Sequence, residues 1–376
     1  MRLPIVLCLL CCLSGTAAAE PDWSAHVAPY GQVFPALELS QARRPDLPAT
    51  DHVLGNGSGL IAVRVRAQHA NERVILSVAV PELGPPQRFG ATLAQADSDY
   101  ELHPPLAWDP ANLRALGGAR ATHMDFTLER DGSEAARRET AISLRPLDEA
   151  LYFVRDGADS ADLSWIFAAY VNEHDAVVDE ILDAARASGI VENFQAADTN
   201  SIYRQVWAVW HALAAHGIRY SGADPAIERG PHVFSQRVRF LGETWRDASA
   251  NCVDGSVLIS SVLQRIGLRT FLVLVPGHAF IGFTAGENAT AYLETTLLGA
   301  HVEALAKPPA FAGDRANSAE RRASLASFNA ALRAGAARHA HVAAKLDGRH
   351  RPDYAVIDIS AARAFGIQPI ESASVP

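Results

Sequence analysis

The stretch from Asn251 to Glu294 is punctuated so closely that one order of elements fits it. Val253, Val257, Leu258, Val262, Leu263 and Ile266 recur at helical spacing, and Gly267 closes the helix. Phe271 to Val275 is a continuous apolar run of strand type. Pro276-Gly277 turns the chain, and His278 opens a second strand through Phe283. Gly286-Glu287-Asn288 marks another turn, and Thr290 to Leu293 reads as a third strand, ending at Glu294. The order is helix, strand, strand, strand. Cys252, His278 and Glu294 each fall at the end of an element.

Those three residue types, in that order, can build a nucleophilic acyl-transfer site. A cysteine in the first turn of a helix meets the positive end of the macrodipole and free backbone N–H groups, which favour thiolate. An imidazole within reach forms an ion pair with it, and a carboxylate on the far ring nitrogen fixes the tautomer. His278 follows Cys252 by 26 residues and Glu294 follows His278 by 16. A helix plus a strand, then a hairpin, fill those intervals. The backbone N–H of Cys252 is one candidate oxyanion donor, and the side chains of Gln236 and Trp245 are candidates for a second. Each residue also has a plain structural role open to it. Cys252 fits as a small apolar core residue, His278 as a turn cap, Glu294 as a surface charge, and Asp254 as an N-terminal helix charge.

Residues 1–19 read as a cleavable signal peptide. Met1-Arg2 starts it with a positive charge, Ile5 to Leu13 is apolar, and Ala17-Ala18-Ala19 offers cleavage after Ala19. No later segment is apolar for long enough to span a bilayer. The expected location is the periplasm or outside the cell. Three of the four cysteines (Cys8, Cys11 and Cys12) would leave with that leader, so Cys252 remains alone. In an oxidising compartment a single cysteine is an inert thiol, a partner for another chain, or a reactive group. The formal charge of −9 argues against nucleic acid and anionic membrane as partners.

Elsewhere the chain falls into two halves. Residues 20–57 read as an irregular lead-in with room for an edge strand. Ile61, Val63 and Val65 alternate with polar neighbours, as do Val74, Leu76 and Val78, and Met124, Phe126 and Leu128. Asp131-Gly132 signals a turn, with strands near Ile142 to Leu144 and Leu151 to Val154. Short strands without a helix until about residue 173 predict an all-β sandwich over 20–165. Asp175 to Ala187 and Thr199 to Ala215 then carry helical apolar faces, closed by Gly189 and Gly217. Residues 220–235 read as a loop. The Ala- and Arg-rich stretch 306–350 reads as surface helices, with His339 and His341 at the surface, and Tyr354 to Ile359 as a late strand. His211 and His216 lie five apart, off the spacing that places two ligands on one helix face, so no metal site is expected.

Ala250-Asn251-Cys252-Val253-Asp254 opening a helix, a hydrophobic strand, His278, and an acid before Thr295-Thr296 together resemble the transglutaminase-like superfamily of papain-like cysteine enzymes. Gly217-Ile218-Arg219-Tyr220 and Gln236-Arg237-Val238-Arg239 fit its layout as well, and the likeness covers roughly residues 170–300. The resemblance implies an α+β, papain-like thiol domain over 166–376, with its core at 198–300 and a C-terminal extension. It implies Cys252 as nucleophile, His278 as base and Glu294 as orienting acid. The family's usual third member is Asp, and the cysteine-to-histidine interval is short here. The expected activity is cleavage or transfer of an amide or peptide acyl group, with hydrolysis favoured because water is always present. No metal or organic cofactor is implied. The expected partner is a protein or peptide substrate, cell-envelope components included, and nothing in the sequence sets the oligomeric state. Two rivals stay open: an inactive binding or assembly protein of the cell envelope, and a redox-sensitive thiol that pairs with another chain.

Overall fold

A computed structural model describes residues 22–40, 51–55, 59–106, 109–157, 159–195, 198–222, 227–287 and 289–370. The signal-peptide reading of residues 1–19 lies outside them. Among the described residues no helix is long and apolar enough to cross a membrane. The chain is a mixture of helices and several sheets, divided into two compact units. One comprises residues 1–161 with 229–233, the other 162–228 with 234–376. A single boundary at 165 misses the return at 229–233, because nothing local in the sequence marks it.

Among the described residues, two sheets lie wholly within the first unit. One orders Trp23–Val27, Ile61–Arg66, Asp99–His103 and Val53–Gly55. The other orders Gln32–Val33, Ser133–Leu144, Arg120–Arg130, Glu72–Ala79 and Gln87–Leu93. The alternating residues lie where period-two patterning puts them: Val63, Val65, Leu76, Met124, Phe126 and Leu128 are all buried. Asp131 and Gly132 turn between long strands at φ +46° and +87°, a pair of positive angles that matches the twist of a hairpin. Ser133–Leu144 begins well before the expected Ile142, because most of its first eight residues are exposed and leave no apolar alternation to read. The lead-in supplies edge strands at both ends of the first sheet and a short, largely buried helix, Pro35–Ser40.

The second unit contains Cys252, His278 and Glu294. Its antiparallel sheet runs Thr290–Leu293, His278–Thr284, Thr270–Val275, Ala355–Asp358. Four longer helices accompany it: Ala176–Ala187, Thr199–His216, Cys252–Arg265 and Ala319–Val342. Asp175 and Asp198 cap the first two by accepting backbone N–H bonds from Val177 and Ser201. Gly189 and Gly217 end them at φ +67° and +97°, where a side chain is strained.

Two expectations need correction. The 220–235 segment contains strands Ile227–Arg229 and Val233–Arg237 rather than a loop throughout, with 223–226 outside the described residues. Val233, Phe234, Ser235 and Gln236 are all buried, so the segment shows no alternation to betray a strand. The Ala- and Arg-rich region is also more than surface. Helix Ala319–Val342 buries Leu325, Phe328, Ala331 and Val342 along one side. Its Ser324 and Ser327 hydroxyls accept the indole N–H bonds of buried Trp207 and Trp210, at 3.1 and 2.9 Å. Small residues let this helix come close to its neighbours, and the same small residues hide its apolar face from composition.

Candidate active site

The cysteine helix starts on a capping box. The Asn251 side chain accepts from the N–H groups of Val253 and Asp254, at 2.8 and 2.9 Å, and the Asp254 carboxylate accepts from the Asn251 N–H at 3.2 Å. Asp254 is buried and also takes the Arg239 N–H, at 2.9 Å. Burial raises its carboxyl above the usual range, although those backbone bonds and the Arg239 and Arg237 charges work against it. Its role is to lock the helix start, as the sequence suggests. The cap takes the N–H groups of Val253 and Asp254 and leaves that of Cys252, at the first helical position, out of the capping bonds. Cys252 is a free, partly exposed thiol.

His278 begins its strand opposite Val275 across the Pro276-Gly277 turn, where Gly277 adopts φ +70°. The neighbouring register pairs Ile281 with Leu293. Glu294 follows that strand directly, and extending the register by one residue puts it diagonal to His278. A diagonal pair is too far apart for short side chains but within reach of long ones. A glutamate bridges that gap. The His278 Nε2–H donates to both Glu294 oxygens, at 2.8 and 3.0 Å. Its other ring nitrogen is left for Cys252, which lies near enough to influence the titration of the ring.

The electrostatics follow from these partners. Burial by itself disfavours an imidazolium, but the influence of Cys252 and the bond and charge of Glu294 outweigh it and push His278 up to about 9. Glu294 is 2% exposed. Burial there would raise its carboxyl, yet the His278 bond and charge, with the Thr296 hydroxyl and N–H, hold it below the usual carboxylate value. Thr296 donates both groups to Glu294 Oε1, at 2.8 and 3.3 Å.

Three further groups belong here that local spacing in the sequence does not signal. The Arg338 Nε–H, from helix Ala319–Val342, donates to Glu294 Oε2 at 2.9 Å. Thr295 Oγ donates to the Cys252 carbonyl at 3.3 Å, tying the residue after Glu294 to the cysteine helix. Tyr220 pairs with Ala250, two residues before the cysteine, and is 46% exposed. Partial burial, then the charges of Cys252 and Glu294, push its phenol up.

The side-chain oxyanion candidates fare differently. Trp245 donates its N–H to Glu180 at 2.9 Å and stacks on His216 with ring centroids 3.4 Å apart. It leaves the set, because its only donor is committed. Gln236 is buried and turns its amide to the Arg237 carbonyl at 2.9 Å. The N–H of Cys252 is the donor the helix start itself supplies. His339, expected at the surface, is half-buried and stacks on Tyr292 at 3.7 Å.

Among the described residues one group has the spacing of metal ligands: His123, Asp125 and Glu139, with ligand atoms within 4.8 Å of one another. They lie on the hairpin of the first unit, partly to fully exposed, and exposed groups of this kind are common without an ion. No protein-family model matches the chain, and no curated protein is similar enough to count as a relative.

Proposed function

We propose that this chain is an exported, transglutaminase-like cysteine enzyme that acts on an amide or peptide bond. The observation that carries this reading is the His278 ring, bonded to Glu294 through Nε2 and near enough to Cys252 at the start of its helix for the thiol to raise its titration. The Cys252 sulfur attacks the amide carbonyl, and the oxyanion that forms meets the free N–H at the helix start. His278 passes its proton to the departing amine. It then takes one from the water, or from an incoming amine, that releases the acyl group. Glu294 keeps the ring oriented and supports its positive charge, and Arg338 and Thr296 hold Glu294. Hydrolysis is the favoured outcome because water needs no site of its own.

An activated ester tests the chemistry without knowledge of the natural substrate. With p-nitrophenyl acetate the protein should release a burst of p-nitrophenol and carry an acetyl group on Cys252. Cys252→Ala should abolish the adduct, and His278→Ala should slow its formation by roughly 100-fold or more. A wild-type protein that forms no adduct on Cys252 would contradict the proposal.

A further inference from the structure

Both peptide planes beside Cys252 are held. In the plane before it, the Asn251 carbonyl accepts the Gly255 N–H at 3.0 Å. In the plane after it, the Val253 N–H donates to Asn251 Oδ1 at 2.8 Å. The carbonyl of that second plane, from Cys252 itself, accepts the Ser256 hydroxyl at 2.6 Å and the Thr295 hydroxyl at 3.3 Å. A peptide unit is rigid, so planes fixed on both sides fix the direction of the Cα–Cβ bond between them. The sulfur keeps one rotation, about χ1. Asn251, Gly255 and Ser256 belong to the helix and its cap, and a serine that bonds the carbonyl one turn back is ordinary helix behaviour. Thr295 is different. It comes from 43 residues further along the chain, and it directly follows Glu294, which bonds His278.

Thr295 is 4% exposed and Ser256 1% exposed, with their hydroxyl oxygens 3.3 Å apart. The single proton on Thr295 Oγ reaches the Cys252 carbonyl directly, or acts on it through Ser256 Oγ. Two adjacent side chains therefore address the two halves of the site: Glu294 the imidazole, Thr295 the backbone that carries the sulfur.

We propose that Thr295 is a positioning residue for the nucleophile, forming with Glu294 a two-residue clamp that keeps the Cys252 backbone in fixed relation to the His278 ring. This rests on the reading of Cys252 as a nucleophile. A thiol placed by its own helix alone would drift with that helix, whereas the clamp makes thiol and imidazole move together. Small displacements at a reacting centre cost large rate factors.

Thr295→Val keeps the outline of the side chain and removes the hydroxyl, and Thr295→Ser keeps the hydroxyl. On the full chain, two reactions of Cys252 would be followed, with urea midpoints alongside. One is acetylation by p-nitrophenyl acetate, in which the sulfur gains the acetyl group and p-nitrophenolate leaves. The other is labelling by iodoacetamide across pH. Thr295→Val should slow acetylation by about tenfold and move the onset of fast labelling to higher pH, because a displaced thiol feels the imidazole less. Thr295→Ser should stay within about threefold of wild type and keep its pH profile. A wild-type rate and profile in Thr295→Val would refute the clamp whatever its urea midpoint, since a hydroxyl that only supports the fold alters stability alone. If the valine variant does not fold, Thr295→Ala takes its place, and equal acetylation rates in Thr295→Ala and Thr295→Ser refute the clamp in the same way. If wild type itself gains no acetyl group on Cys252, the nucleophile reading fails and the clamp fails with it.

Discussion

His278 is partly buried, yet it holds its proton more readily than a free histidine. Its value of about 9 against an ordinary 6.5 sets the sign of a stability prediction. A group whose folded value is raised stabilises the fold fully below its unfolded value and loses that contribution as pH climbs through its folded value. The contribution should therefore be present below about pH 6.5 and decline toward and through about pH 9. Urea midpoints from pH 6 to 10 (a roughly chosen range) should fall more steeply in wild type than in His278→Ala. Equal slopes would show that the imidazole does not carry the charge assigned to it. Glu294→Gln removes the carboxylate that answers both His278 and Arg338. The His278 titration, followed by NMR, should move back toward the ordinary value, and esterase activity should drop by about 100-fold or more. An unmoved titration would deny Glu294 its orienting role. Cys252 and His278 are legible in the sequence because a capping asparagine and a Pro-Gly turn mark their ends, whereas Glu294 is legible only as the residue that follows the third strand. Arg338 is not legible there. It lies 44 residues beyond Glu294, and only the tertiary path of a later helix brings it back.

The helix that brings Arg338 back depends on Gly335. A Cβ there would lie 2.6 Å from the Tyr292 carbonyl carbon and oxygen and 2.7 Å from the Leu293 nitrogen, all backbone atoms with little room to move. In an open helix Gly→Ala would help by about 1 kcal/mol. Here the clash should reverse the sign, to a loss of about 1–3 kcal/mol. Thermal melts should show Gly335→Ala below wild type, with slower Cys252 alkylation as Arg338 is pushed off Glu294. A stabilised Gly335→Ala would mean that the helix stands further from the sheet. At the other end of the site, Asn251→Ala should cost about 1 kcal/mol by removing the cap, whereas Asn251→Ser or Asn251→Asp should recover most of it. The sequence reads elements well where a cap and a stop bracket an apolar face, as in Ala176–Ala187 and Thr199–His216. It reads them poorly where a strand is buried on both faces, as in Val233–Arg237, or where the buried face is made of Ala, Ser and Gly, as in Ala319–Val342.

At the scale of the molecule, the C-terminal region is built into the fold around the candidate site. It supplies the edge strand Ala355–Asp358, the serine partners of Trp207 and Trp210, and the arginine on Glu294. A chain that stops at Asn317 should lose the near-ultraviolet tryptophan signature of a packed core, because two buried indoles lose their hydrogen-bond partners. Retention of that signature would make the region dispensable to the fold. The thiol-enzyme reading proposed for residues 170–300 carries no information about this part of the chain. The period-two patterning of the first unit carried none about function. The most direct test of the central claim is the rate at which iodoacetamide labels Cys252 as pH is varied, in wild type and in His278→Ala. The account predicts rapid labelling of wild type below neutral pH, and in the variant labelling that becomes fast only well above neutrality. Identical profiles for the two proteins would contradict it.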